Sequence, residues 1–531
     1  MSDAFAAKGD ITAVRAQSLG NNFQYDDRGR YNSLVQVDSD TYALAYAGTD
    51  SDGFISTFNI SSDGTTITEV ESIEHDTVFG QHNSLIKVDS DTFALAYRGT
   101  DSAGFISTFT IDSDGDITPI RIQNDSAFAS ASENLEHDTN EGSKNSLVHV
   151  NDDTYALAYE RNGRQLAIAT FTISSNGATI TELDSLVGDA GNCQDRYLQS
   201  LVKVDSDTVA LAYCGSGAAG TLKPFSIAEN GDITAKTINN FAPSDGTDHS
   251  LVQVDSDTIA LAYQGYVVVR GAITERNGVI KTFTINSEDA ISEVDSLEHS
   301  SGTSATTGWS EQNSLVKVDS DTYALAYGGE PWNKSDGFIS TFTIDSDGNI
   351  TGLSTKNQGN NLEYDTDTSE MKSLVKVDSN TVALAYQGED LVGFISTFTI
   401  GDVEETQIEK SQKPQGGPCG QYSDCIKPSI VKHGISVTQD GFSINDNIFE
   451  ENQERINKNP TIQATVGEPI TIKIRAWENM GTDRISLAIT YLGMHEEKPD
   501  WKDSTANIKF KIQQDEFKVY DKDKKFFSSR S

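Results

Sequence analysis

Asn83-Ser-Leu-Ile-Lys-Val-Asp-Ser-Asp-Thr-Phe-Ala-Leu-Ala-Tyr-Arg-Gly99 recurs, lightly edited, seven times in this chain, and that self-similarity decides the fold. Its serine stands at Ser33, Ser84, Ser146, Ser200, Ser250, Ser314 and Ser373, at spacings of 51, 62, 54, 50, 64 and 59 residues. Such a period is too long for one coil of a β-solenoid and suits a four-stranded propeller blade.

Alternation and turn chemistry divide each unit into four strands. In the second copy they are predicted at Ser84 to Val88, Thr92 to Tyr97, Gly104 to Ile111 and Asp116 to Ile122. Between them lie an Asp-Ser-Asp turn, a Gly-Thr-Asp-Ser-Ala loop and an Asp-Ser-Asp-Gly turn, whose Asp and Gly residues suit tight turns. Proline is scarce and the first 400 residues carry no amphipathic helical pattern. The class is all-β.

The ends of the repeat region predict how the ring closes. Gly9-Asp-Ile-Thr-Ala-Val-Arg matches the fourth strand of a unit, Gly115-Asp-Ile-Thr-Pro-Ile-Arg, with no strands before it. The seventh unit runs through Gly393-Phe-Ile-Ser-Thr-Phe-Thr-Ile400 and then loses the pattern. A fourth strand supplied by the N-terminus would complete the last blade and remove two raw sheet edges. The expected architecture is therefore a seven-bladed β-propeller over residues 1–406; an open repeat array is the alternative.

The run from His82 to Gly99, like His249-Ser-Leu-Val-Gln-Val-Asp-Ser-Asp-Thr-Ile-Ala-Leu-Ala-Tyr-Gln-Gly265, resembles kelch-type blades in its order of His-Ser, apolar strand, turn and Tyr-x-x-Gly. Gly328-Gly329 reproduces the kelch glycine pair in the sixth unit. Gly-Phe-Ile-Ser-Thr-Phe-Thr-Ile and Leu-Glu-His-Asp are similar to repeat proteins of marine microbes.

Composition separates a second part. The chain has 80 Asp plus Glu against 40 Lys plus Arg; 21 and 18 of these follow Gly401, which leaves 59 acidic and 22 basic residues on the first 400. A surface so negative repels nucleic acid and anionic lipid and excludes both as expected partners. Residues 407–428 read as a linker containing Cys419 and Cys425. Residues 429–531 return to short strands such as Ile470-Thr-Ile-Lys-Ile-Arg-Ala-Trp and Ile485-Ser-Leu-Ala-Ile-Thr-Tyr, and predict a β-sandwich of the immunoglobulin or cupredoxin-like kind. Over residues 429 to 525 the order Gly467-Glu-Pro-Ile-Thr-Ile-Lys-Ile, Trp477-Glu-Asn-Met-Gly and Phe517-Lys-Val-Tyr-Asp resembles a module of secreted and surface proteins of ammonia-oxidising archaea. Its cysteines precede the strands, which argues against type 1 copper at His433, His495, Met480 or Met494.

Cys419 with Cys425, and Cys193 with Cys214, are the expected disulfides, and an even count suggests an oxidising, extracellular or cell-surface location. Sequons at Asn59, Asn124, Asn333 and Asn349 agree with export. Met1 is followed by no signal segment, and the start inside a repeat suggests a processed or clipped chain. With no apolar run of 18 residues, membrane insertion is not expected.

Two candidate sites emerge. The turns Asp38-Ser-Asp40, Asp89-Ser-Asp91, Asp205-Ser-Asp207, Asp255-Ser-Asp257 and Asp319-Ser-Asp321 fall on one face of a closed ring. Their carboxylates are candidate Ca²⁺ ligands, with turn formation as the competing reading and no other cofactor expected. On the opposite face, variable loops carry Phe79, Tyr197, Phe241, Tyr266, Trp309, Trp332 and Tyr364, aromatics of the kind that grip glycans or proteins. His75, His137 and His299 recur at one blade position, which suggests a structural hydrogen bond. No Gly-x-Ser-x-Gly elbow, His-Glu-x-x-His or phosphate loop is present. These features point to a non-enzymatic extracellular binding or adhesion protein. The alternatives are a glycan-active enzyme, hydrolase or lyase, with its site in the propeller mouth, and a structural surface-layer component.

Overall fold

In the computed structural model the described residues are 9–121, 134–162, 164–190, 199–215, 219–242, 246–269, 272–286, 290–301, 311–329, 336–352 and 361–401, together with six short strands between 442 and 521. Contacts divide the chain into two units, Met1–Thr406 and Gln407–Ser531.

The first unit is a seven-bladed β-propeller made of seven antiparallel sheets. Blade 1 consists of Arg30–Gln36, Thr41–Ala47, Gly53–Ile60 and Ile67–Asp76, paired in sequence order. The second strands are buried almost end to end, because each lies between the sheets on either side; in Thr41–Ala47 every residue is buried. That explains the Ala-Leu-Ala core of the repeat, since large side chains on both faces of this strand would overfill the layer. Blade 2 follows the expected boundaries to within a few residues, with one difference. Its outer strand is in two pieces, Ile117–Ile120 and Asn134–Asp138, both paired with Gly104–Ile111.

Closure occurs as the termini of the repeat region predict. Ile11–Arg15 pairs with Gly393–Ile400 as the fourth strand of blade 7, with Ile11 opposite Ile400. The Gly9 amide donates to the Gly401 carbonyl and the Gly401 amide to the Asp10 carbonyl, both at 2.6 Å.

Two rings of side-chain hydrogen bonds join the blades. In the first, the leucine amide after each repeat serine donates to the serine Oγ of the preceding blade: Leu85 to Ser33, Leu147 to Ser84, Leu201 to Ser146, Leu251 to Ser200, Leu315 to Ser250, Leu374 to Ser314 and Leu34 to Ser373. All seven are 2.9–3.0 Å. In the second, the threonine of Ile-Ser-Thr donates to a glycine carbonyl in the next blade, as Thr57 does to Gly115 and Thr341 to Gly9. Blade 4 has Pro224 at that position and no hydroxyl to give. The repeat itself thus supplies the inter-blade partners, which is why Ser-Leu stands in all seven units and the bonding threonine in six.

In the second unit two three-stranded antiparallel sheets are described. One contains Phe442–Ile444, Asn447–Ile448 and Ile472–Ile474; the other contains Ala488–Leu492, Ala506–Lys511 and Glu516–Asp521. The strands expected near Gly434 and Ile462 lie outside the described residues, as does the linker with Cys419 and Cys425. No described helix is long and apolar enough to cross a membrane.

Candidate functional site at the channel mouth

Among the described residues the inner strands of six blades carry a β-bulge two residues before the serine, visible as a register shift between Arg30 and Ser33 and at the matching place in the other five. The residue at the bulge is in the left-handed region without being glycine: Tyr31 (φ 55°), His82 (56°), Lys144 (55°), Asp248 (55°), Gln312 (51°) and Met371 (52°). In blade 4 the matching Leu198 lies outside the described residues. Each such conformation costs on the order of 1–2 kcal/mol for an L residue. These six instances, at the same position of six blades, form a strained arc with a different side chain from each.

The arc is tied together circumferentially. Asn83 Nδ2 donates to the Tyr31 carbonyl, Asn145 to that of His82, Gln199 Nε2 to that of Lys144, Asn313 to that of Asp248 and Asn32 to that of Met371, at 2.8–3.1 Å. Gln312 Oε1 accepts from the Met371 amide. Neighbouring side chains also meet: the Tyr31 and His82 rings are 4.4 Å apart at their centroids.

Around His82 the charge is positive. Burial pushes its pKa down to about 3, and Arg98, Lys144 and Arg30 push in the same direction. The imidazole is therefore neutral near pH 7, and its Nδ1 is buried without a hydrogen-bond partner. Lys144 Nζ is paired with Glu160 at 2.8 Å. The Arg30 guanidinium stands 5.1 Å above the Tyr31 ring. Arg98 is held by Gln81 Oε1 at 3.2 Å and Ser102 Oγ at 2.5 Å.

The expected site residues fare differently. Phe79 is exposed, on the loop that leads into the inner strand of blade 2, at the mouth end. Tyr364 is not a rim residue: it is fully buried, because its ring packs over Gly337 and edge-on to Tyr386 and Phe398. Phe241 is likewise buried, over Gly220. Tyr266 falls in the strand Thr258–Val269, opposite Arg276. Tyr197, Trp309, Trp332 and Cys193 lie outside the described residues, and Cys214 is disulfide-bonded.

His75, His137 and His299 are structural, but not through a hydrogen bond. Both ring nitrogens of each are buried and unpartnered, and the rings sit edge-on to Tyr97, Tyr159 and Tyr327. Tyr25, Phe241 and Tyr364 fill the same place in other blades. The position takes a flat ring that covers a glycine, as His75 covers Gly53.

The acidic turns satisfy themselves. Asp38 Oδ1 accepts from the amides of Asp40 and Thr41, and Asp205, Asp255 and Asp319 repeat this with Asp207 and Thr208, Asp257 and Thr258, and Asp321 and Thr322. Asp89 accepts from Ser90, while Asp91 accepts weakly from Thr92. Among the described residues no three His, Cys, Asp or Glu side chains gather as a metal site.

The repeat does carry a signal for the channel mouth. The position two before each serine changes in every unit while the residues after it barely change.

No family model matches the chain, and neither does any curated protein. Solved structures do. The periplasmic gluconolactonase of Pseudomonas aeruginosa is similar over 64% of this chain and 86% of its own, at 13% identity and TM-score 0.44. A Bacteroides fragilis protein described as a "putative 6-phosphogluconolactonase" is similar over 69% and 97%, at 14% identity and TM-score 0.42. A hypothetical selenium-binding protein of Sulfolobus tokodaii is similar over 69% and 79%, at 9% identity and TM-score 0.42. This likeness is one of fold. It corrects the non-enzymatic adhesion reading even so: propellers bearing lactonase names stand among the similar structures, and the scaffold gives no ground for excluding catalysis.

Proposed function

We propose that the protein is an enzyme of the hydrolase type that takes a sugar-derived small molecule at the mouth of its channel, beside blades 1 to 3. The observation that carries this reading is the arc of left-handed, non-glycine residues, each of different chemistry. Strain at this level persists only where the surroundings over-determine it, and it concentrates at functional sites. Hydrolysis of an ester or lactone needs positive charge to stabilise the developing oxyanion and a base to take the proton of the attacking water. Arg30, Arg98 and Lys144 supply the first, and neutral His82 supplies the second. A negative charge arriving beside His82 offsets the three cations and raises the affinity of the imidazole for a proton. The lactonase names above provide compounds to try first and add no weight of their own. The disulfide at Cys214 supports an extracellular or periplasm-like oxidising location.

The test is proton release from gluconolactone, from 6-phosphogluconolactone and from a panel of sugar esters. The expected result is hydrolysis above the buffer rate on at least one compound, falling at least tenfold in His82→Asn, where Asn tolerates the left-handed backbone. Buffer rates throughout would overturn the reading.

A further inference from the structure

We propose that Arg30, His82 and Arg98 form a receptor for a single anionic group of the ligand, a carboxylate or a phosphate, at the seam between blades 1 and 2; this rests on the channel mouth being the substrate site. The charge balance of the propeller makes the cluster anomalous. Acidic residues outnumber basic ones by 59 to 22 over the first 400 positions. Yet among the described residues neither Arg30 nor Arg98 belongs to an ion pair, while Lys144, Arg161 and Lys281 all do.

Three nitrogen atoms at this seam are left over, two guanidinium donors and an imidazole nitrogen that donates in its Nδ1–H tautomer. Arg30 Nε, Arg98 Nε and His82 Nδ1 are each buried with no hydrogen-bond partner. The flanking groups are fixed, so the donors are held rather than free to seek solvent. Arg30 opens the inner strand of blade 1 opposite Ala47 and lies against Tyr31. Arg98 ends the second strand of blade 2 opposite Gln81, with two of its nitrogens already committed. His82 is set by the bulge and by the Tyr31 ring. The charged groups that act on His82 are Arg98, Lys144 and Arg30, and no carboxylate is among them. Two guanidinium groups that both act on one imidazole suit an oxyanion with several acceptor oxygens.

The experiment is calorimetric titration of the full chain with inorganic phosphate and, separately, with gluconate, at ionic strength held constant with sodium chloride. Saturable binding of one of the two is expected, and the responding probe identifies the anion class. Arg30→Met and Arg98→Met should each weaken it at least tenfold, while Lys87→Met, at the far end of an inner strand, leaves it unchanged. On the wild-type protein, phosphate or gluconate should protect Arg30 and Arg98 from phenylglyoxal, read by peptide mapping, which covers the case of a variant that does not fold. No saturable binding of either probe, or binding that survives both substitutions, would overturn the proposal. Lactone hydrolysis without anion binding would sink this inference and leave the hydrolase reading standing; binding without hydrolysis would do the reverse.

Discussion

The amide of Leu34 donates to Ser373 Oγ at 2.9 Å, across the seam where the first blade meets the last. Residues 339 apart thereby make the same contact that Leu85 and Ser33 make 52 apart, so the ring closes without a special joint.

Ser373→Ala removes that acceptor and leaves the Leu34 amide unpaired. A loss of about 1–3 kcal/mol is expected, and Ser84→Ala at an internal seam should cost the same within error. Urea unfolding midpoints at matched slopes decide it. A far larger loss at Ser373 would show that the closing seam is the weak one.

The buried histidines make stability depend on pH. Burial holds His75 and His299 at a pKa of about 3, and His137 at about 4 because Asp138 partly offsets burial. The unfolded chain protonates near 6.5. Below that pH the unfolded state binds protons that the native state refuses, so stability present above pH 6.5 is lost as pH falls toward 3–4. The slope is about 1.4 kcal/mol per pH unit for each histidine. Combining His75→Phe, His137→Phe and His299→Phe, on the precedent of Phe241, should flatten the profile between pH 6.5 and 4.5 relative to wild type. Equal slopes in the two proteins would refute the assignment.

Gly80 lies against the backbone of Gly53; a Cβ built on it would stand 2.1 Å from the Gly53 Cα. Neither backbone can yield without moving the loop between blades 1 and 2. Gly80→Ala should therefore cost about 1–3 kcal/mol or more. Gly20→Ala, with open space around its Cβ, should show only the cost of a positive φ. Thermal melts of the two side by side separate crowding from strain.

Tyr31→Gly tests whether the channel mouth stores strain. Glycine in a strand ordinarily costs about 0.5–1 kcal/mol, but here it relieves a left-handed tyrosine. Stability should be unchanged or higher while lactone hydrolysis falls. A midpoint lowered by the ordinary glycine penalty would show that Tyr31 is unstrained.

The sequence by itself determined the all-β class, the number of blades and the strand that closes the last one. Those follow from period, alternation and turn residues, which are local properties of the chain. It also contained the seam chemistry, since Ser-Leu and Ser-Thr recur in the blades, but a hydroxyl in a strand does not announce which carbonyl or amide it will meet. Tyr364 and the three repeated histidines read as rim or polar groups and proved to be packed rings, because burial depends on the neighbouring blade. The channel mouth was decided only in three dimensions. Arg30, His82 and Arg98 are up to 68 positions apart in the chain. What brings them together is the packing of blade 2 against blade 1, which sets the bulge of one inner strand beside that of the next and turns a variable residue in a repeat into one wall of a site.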